Sequence, residues 1–326
     1  MKLNIGSLAH GKNNLITDVK GVKVGHATVD RGDCHTGVTV ILPGSKNPFT
    51  HKLTAASHVI NGFGKTLGLV QLDELGTLET PIALTNTLNV GKVHDALVSY
   101  MLKICDRDGI ILKSVNPIVC ECNDSRINDI RHRPVGEKEV FAAIETAKEV
   151  FEQGSVGAGR GTVCYGLKGG IGSSSRTFSV DDKEYTVGVL VQSNYGAARD
   201  FVPIDLRNET GASDQGSIIM IVATDLPLSS RQLRRLIKRA SVGMARLGSY
   251  IGHGSGEIVI GFTTSVPESS GDSFLCQKIM KEELLDIPFR AVGECSEEAI
   301  LQSMLHALPD RALDGTEIRS LKQLKQ

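Results

Sequence analysis

Tryptophan is absent from this 326-residue chain, and all aromatics together reach only 4%. Base-stacking platforms for single-stranded nucleic acid need such rings and are not expected. A surplus of either charge is also lacking: 36 Lys+Arg stand against 37 Asp+Glu, a formal net charge of −1. That argues against a nucleic-acid grip built on counterion release. No apolar run approaches the length of a membrane-spanning helix, and Met1-Lys2-Leu3-Asn4-Ile5-Gly6 carries no apolar signal core behind its one basic residue. The expectation is a soluble cytoplasmic protein with neither a nucleic-acid nor a membrane partner.

Cysteine is too sparse for a disulfide scaffold. The seven residues, at 34, 105, 120, 122, 164, 276 and 295, are odd in number, and several lie in apolar settings such as Val163-Cys164-Tyr165. Reduced, buried thiols are expected. Cys120 and Cys122 form a C-x-C with no second pair at zinc-ligand spacing, so no metal site is expected. What the chain does have is 35 glycines and 40% hydrophobic residues. The apolar share suffices for a large core, and the glycines point to tight turns and close backbone approaches.

Without repeats, low-complexity blocks or charged linkers, a single domain spanning 1–326 is expected. Short β-type runs recur at Gly37–Leu42, Pro81–Leu84, Thr186–Val191, Ser217–Val222 and Ile258–Phe262. Helical patterns lie between them. One covers Val90–Leu102 behind an Asn89 cap, a second covers Lys138–Gln153 behind Gly136, and the clearest runs from Ser230 to Leu247 with Leu233, Leu236, Ile237, Ala240 and Met244 on one face. A last helix is expected over Glu297–Leu308, stopped by Pro309. β-type runs follow one another around the glycine block at 157–170, so a layered α+β sandwich fits better than a doubly wound sheet.

Two glycine motifs fail on their surroundings. Gly62-Phe63-Gly64-Lys65-Thr66 resembles the end of a phosphate loop, but position 59, where the pattern needs Gly, is Val, and a structural turn is expected instead. Val156-Gly157-Ala158-Gly159-Arg160-Gly161 is followed by β-type Thr162–Tyr165, where a dinucleotide site needs a helix. The stretch with most chemistry is Gly248–Glu257. Glycine flanks Ser255 on both sides, at the mouth of a buried strand that could hold its Oγ rigidly. It is not the strand-to-helix nucleophile elbow, and a glycine-rich loop with a turn Ser remains the alternative.

The Gly254-Ser255 junction before an apolar strand resembles the self-processing site of the L-aminopeptidase/D-esterase family, which includes the β-peptidyl aminopeptidases. The likeness extends through Asn14–His26, His58–Lys65, Leu84–Gly91, Asn123-Asp124, Lys168–Gly172, Val189–Gly196 and Ala223–Asp225, in order along nearly the whole chain. It implies a four-layer αββα sandwich like that of N-terminal-nucleophile hydrolases. It also implies self-cleavage of the Gly254–Ser255 bond into an α chain, 1–254, and a β chain of 326 − 254 = 72 residues beginning at Ser255. The freed Ser255 would carry a hydroxyl and an α-amine with a pKa of about 7.7–8.0, so nucleophile and base can be one residue.

By the same resemblance, Ser296 and Glu298 of Cys295-Ser296-Glu297-Glu298 orient or deprotonate the nucleophile, although Ser296 equally suits a helix N-cap. Asn194 is the candidate oxyanion donor or else part of an Asn-Tyr-Gly turn, and Tyr165 is a polar contact near the nucleophile or a core tyrosine. Glu121 and Asp124 are the candidates to pair with a substrate ammonium. The implied activity is release of N-terminal residues from small peptides, amides or esters by a homo-oligomer, a tetramer in the family, without cofactor. The rivals are acyl transfer like that of the related ornithine acetyltransferases, and a non-catalytic relative that is never cut.

Overall fold

A computed structural model of the chain describes residues 5–206, 215–269 and 273–325. The first part of the chain contributes β1 (Lys23–Arg31), β2 (Cys34–Leu42), β3 (Leu53–Gly62), β4 (Thr66–Leu67), α1 (Leu69–Leu75), β5 (Thr77–Leu78) and β6 (Ile82–Asn86). The middle contributes α2 (Val90–Arg107), β7 (Ile118–Cys122), α3 (Glu137–Glu145), β8 (Val163–Cys164), β9 (Leu167–Lys168), β10 (Gly170–Val180) and β11 (Lys183–Asn194). The last part contributes β12 (Gln215–Thr224), α4 (Ser230–Ile237), α5 (Ala240–Arg246), β13 (Gly254–Thr263) and α6 (Asp286–Leu305).

Strand alternation sorts these residues into layers. In β12, Ile219, Ile221 and Ala223 face one way and Ile218, Met220 and Val222 the other, and both sets are buried. The first set meets Ile41, Ile82, Leu84 and Cys120 of a facing sheet; the second meets the helices through Leu233, Met244 and Ile300. The six-stranded sheet has the order β10-β11-β12-β13-β3-β5, and the five-stranded sheet facing it has the order β1-β2-β6-β7-β4. Helices α2 and α3 cover the outer face of the latter through Val93, Leu97 and Val140. The chain is thus a four-layer αββα sandwich, as the resemblance implies. Burying β13's Phe262 between the sheets contributes about 1.5–3 kcal/mol on the usual apolar scale.

The helices depart from the periodicity in instructive ways. α3 ends at Glu145 rather than Gln153, because Lys148 exchanges backbone hydrogen bonds with Val24 at the edge of the first sheet. The 230–247 pattern is two helices, broken at Lys238-Arg239, with Ser229 as the true N-cap accepting from the Gln232 N–H. Asn89 makes no cap bond; Asn86 accepts its N–H and caps the 3-10 turn that leads into α2. Helix α6 begins at Asp286, far ahead of Glu297, and ends at Leu305. Pro288 is tolerated because first-turn N–H groups have no intrahelical acceptor. Gly172 of β10 lets α6 lie close, since a Cβ there would come within 2.0 Å of the Ala299 carbonyl oxygen.

Candidate active site

Ser255 is the second residue of β13, an interior strand held between β12 and β3. Parallel pairing sets it beside Gly216 of β12. Gly216 has φ of 120°, and a Cβ there would lie 2.0 Å from the carbonyl oxygen of Asn194, so only glycine lets the ends of β11, β12 and β13 converge. Ser255 is fully buried, and its Oγ has no hydrogen-bond partner among the described residues. An unmet buried hydroxyl, a state that Ser255 shares with Ser296 of α6, costs about 1–3 kcal/mol. Its N–H donates to the Gly252 carbonyl at 3.0 Å, closing a tight turn over the Gly254–Ser255 bond.

A cavity of about 700 Å³ opens at this end of the sheets, and Gly254, Gly216, Asn194, Tyr165 and Glu121 are among its walls. The Asn194 Oδ1 accepts from the Val163 N–H at 3.0 Å and its Nδ2 donates to the Asn123 carbonyl at 2.9 Å. Since an amide has two N–H donors, Asn194 is fixed at both ends with a second N–H to offer. Tyr165 has φ of 49°, and its ring stands edge-on to Tyr195 with centroids 5.2 Å apart. Its hydroxyl donates to that of Tyr195 at 3.3 Å, so it is a packed tyrosine that also forms cavity wall.

The two candidate acids part company. Glu121 lines the cavity, with Oε1 accepting from the Lys65 N–H at 2.8 Å and Oε2 accepting from Thr87 Oγ1. Burial pushes its carboxyl above the usual range, against the Thr87 and Lys65 hydrogen bonds and the Lys65 charge. Asp124 instead accepts from Thr36 Oγ1 at 2.5 Å and Asn128 Nδ2 at 2.9 Å, and burial pushes it up to about 6. It ties the segment after β7 to β2 and is not a wall of the cavity.

Ser296 and Glu298 are not brought to Ser255. Glu298 accepts from Ser174 Oγ at 3.1 Å and pairs with Arg176 at 2.8 Å, both on β10. Ser174 is in register with Val189, Val222 and Gly261 across the sheet, six positions along and three strands over from Ser255. That separation is roughly 20 Å along the strands and roughly 14 Å across them. Ser296 is no nearer: the preceding Cys295 thiol donates to the Val187 carbonyl, level with Thr263 at the opposite end of β13. Nor is Ser296 an N-cap, because it lies in mid-helix against α5, where a Cβ on Gly243 would meet its own Cβ at 2.7 Å. The expected N-cap role depends on a helix starting at Glu297. With the start at Asp286, the helix points its last turn toward the cavity end, where Ser303 Oγ lies 2.6 Å from Ser193 Oγ.

Glu298 belongs instead to a buried ionic cluster. Arg176 bridges Glu294 at 3.2 Å and Glu298 at 2.8 Å, while the N–H groups of Ser7 and Leu8 donate to Glu294. Asn14 Nδ2 and His10 Nε2 reach Glu298 at 2.7 and 3.0 Å. The cluster pins the N-terminal segment onto β10 and α6. Burial pushes the Glu298 carboxyl up, but the Arg176 charge and the hydrogen bonds from Asn14 and Arg176, with His10 adding to them, hold it below the ordinary range.

Reasoning from the sequence did not single out Asn61, Lys65 or Thr87 as site residues. The Gly62–Thr66 turn expected from the sequence is present, but it also supplies the Lys65 amide to Glu121. Asn61, one residue before it, donates from Nδ2 to the carbonyls of Gly252, His253 and Ser255. A polar residue closing a β-run next to a glycine turn is the signal that could have drawn attention to it. Six of the seven free cysteines are buried as expected; Cys276 is exposed. Among the described residues no group of three or more His, Cys, Asp or Glu could hold a metal ion, and no helix is long and apolar enough to cross a membrane.

An αββα sandwich with a buried serine at the start of an interior strand, opening on a polar cavity, defines a hydrolase of the N-terminal-nucleophile type. The chain belongs to peptidase family S58, which matches residues 14–318, and it is a serine aminopeptidase of that type. The β-peptidyl aminopeptidase BapA of Sphingosinicella xenopeptidilytica is 35% identical, over 90% of this chain and 81% of that protein. Among solved structures, the PH0078 protein from Pyrococcus horikoshii OT3 superposes with a TM-score of 0.92 at 43% identity, covering 99% of this chain and 95% of that one. The L-aminopeptidase D-Ala-esterase/amidase from Ochrobactrum anthropi, a prototype for the serine aminopeptidases with a variant of the Ntn-hydrolase fold, gives 0.89 at 32%, covering 98% and 94%.

Proposed function

We propose that the chain cuts its own Gly254–Ser255 bond and that the freed Ser255 removes N-terminal residues from small peptides, amides or esters. The observation that carries this is a fully buried Ser255 whose Oγ has no hydrogen-bond partner among the described residues, next to a cavity of about 700 Å³. In turnover Ser255 Oγ attacks the scissile carbonyl carbon, and the hydroxyl proton passes to its α-amine and on to the leaving nitrogen. Asn194 donates its second N–H to the oxyanion, and Tyr165 forms the adjoining wall. Water repeats the sequence on the ester and releases the acid. No cofactor enters these steps. Glu121, the acid in the cavity wall, receives the substrate ammonium.

Intact-mass spectrometry of the wild-type chain beside Ser255→Ala tests the reading. Two polypeptides from wild type, the smaller beginning at Ser255, and one from the variant are expected; a single intact chain from both would remove the α-amine on which the mechanism depends. Seven free thiols suit a reducing compartment, and we extend the reading to a cytoplasmic homo-oligomer, a tetramer by family likeness. Light scattering on the purified protein measures that state.

A further inference from the structure

We infer that Asn61 is a positioning residue for self-cleavage, clamping the two sides of the Gly254–Ser255 bond in one side-chain amide. This rests on the self-processing reading above. Asn61 stands near the end of β3, opposite Glu257 of β13. Its Nδ2 donates to the carbonyl oxygens of Gly252 at 3.2 Å and His253 at 3.3 Å, before the bond, and to that of Ser255, after it. Three acceptors around one amide fix its orientation, because only the NH₂ end can face them. The Gly252 oxygen also accepts the Ser255 N–H at 3.0 Å, so the amide and the scissile peptide share an anchor.

The segment needs such an anchor. Ile251 is held at φ of 61°, a left-handed conformation that a β-branched side chain resists, and relaxation there would swing the turn away from β13. The Ser255 Oγ has no partner among the described residues, so the backbone around it sets where it can go. Cleavage proceeds by attack of Oγ on the Gly254 carbonyl carbon. The Gly254–Ser255 C–N bond breaks, the nitrogen takes the hydroxyl proton, and water then hydrolyses the ester to leave a Gly254 carboxylate and a free Ser255. The attack needs Oγ and the Gly254 carbon held at contact distance, and the amide of Asn61 fixes the carbonyls on both sides of that pair.

The test follows precursor conversion by gel and intact mass in full-length Asn61→Leu, with Val59→Ala as a control on the same strand at a half-exposed position. Slowing of at least tenfold in Asn61→Leu, with Val59→Ala at the wild-type rate and both melting with the wild type, is the expected result. Partial recovery of the rate in Asn61→Gln, which restores an amide, is expected too. Conversion of Asn61→Leu at the wild-type rate would overturn the role of Asn61. If Asn61→Leu does not fold, Asn61→Ser takes its place and is read in the same way. A wild-type chain that is never cut defeats the self-processing reading itself, a result told apart from the others by the wild-type lane alone.

Discussion

At the scale of single residues, the serine is set apart by what surrounds it. Its hydroxyl is buried without a partner among the described residues, whereas Ser173 and Thr224 of the same sheet are bonded to backbone carbonyls and Ser174 and Ser175 to polar side chains. The acid proposed to receive the substrate ammonium is Glu121, and replacing it with Gln removes the charge while keeping the shape. A hydrogen bond to a charged group contributes about 1.5–3 kcal/mol, so kcat/KM for free-amine substrates should fall on the order of tenfold to a hundredfold in Glu121→Gln, mostly through KM. N-acylated analogues, which lack the ammonium, should be indifferent to the change. Because burial raises the Glu121 carboxyl, its charge is lost on acidification earlier than for an ordinary glutamate. The acid limb of kcat/KM set by protonation of the Ser255 α-amine is expected in both proteins, and a further fall at lower pH, from Glu121 and above the usual glutamate range, is expected in wild type and absent in Glu121→Gln. Ser255 and Asn194 could be named from sequence because the family resemblance covers their blocks, while local features alone left a turn serine and an Asn-Tyr-Gly turn as alternatives. Choosing Glu121 over Asp124 required the structure, since the two acids lie three positions apart and differ only in which cavity or core they face.

At the scale of elements, the pairing of α6 with β10 decides what Ser296 and Glu298 do. Glu298→Ala would leave Arg176 short of one buried partner, and stability should drop by on the order of 3 kcal/mol, with self-cleavage still running. Loss of cleavage in a variant that remains folded would return Glu298 to the catalytic machinery. The pH dependence has a definite sign. Glu298 titrates lower in the folded chain than its ordinary value of 4.5, so its stabilising contribution is complete above that value and fades as pH falls through the folded one. Urea melts at descending pH should therefore show a steeper acid loss in wild type than in Glu298→Gln. Gly172→Ala tests the close approach of α6: a Cβ 2.0 Å from the Ala299 oxygen forces the helix outward, and about 1–3 kcal/mol of destabilisation is expected in a thermal melt. The 3.6-residue period located these helices but misjudged their ends. Lys148 was drawn into a sheet-edge bridge, and Pro288 sat where a helix can accept it.

At the scale of the molecule, the cut proposed after Gly254 would fall at the end of an interior strand. β13 pairs along its length with β12 and β3, and α6, from the same fragment, covers β10 and β11. The 1–254 and 255–326 pieces are thus expected to elute together in size exclusion under native conditions and to separate only in denaturant. Elution as two species without denaturant would show that the sheet does not hold the product together.

The sequence by itself determined the apolar runs, hence the layers, and the order of family-like blocks, hence the class of enzyme, because both are carried by neighbouring residues. It also marked the junction at Ser255. Only the tertiary structure decided which polar residues share the cavity. Lys65, Thr87 and Glu121 come from the turn after β3, the turn after β6, and β7, and line one cavity, while Glu298 is carried to β10 by the helix on which it sits. Proximity across strands is a matter of register and packing over long sequence separations, and no local pattern encodes it.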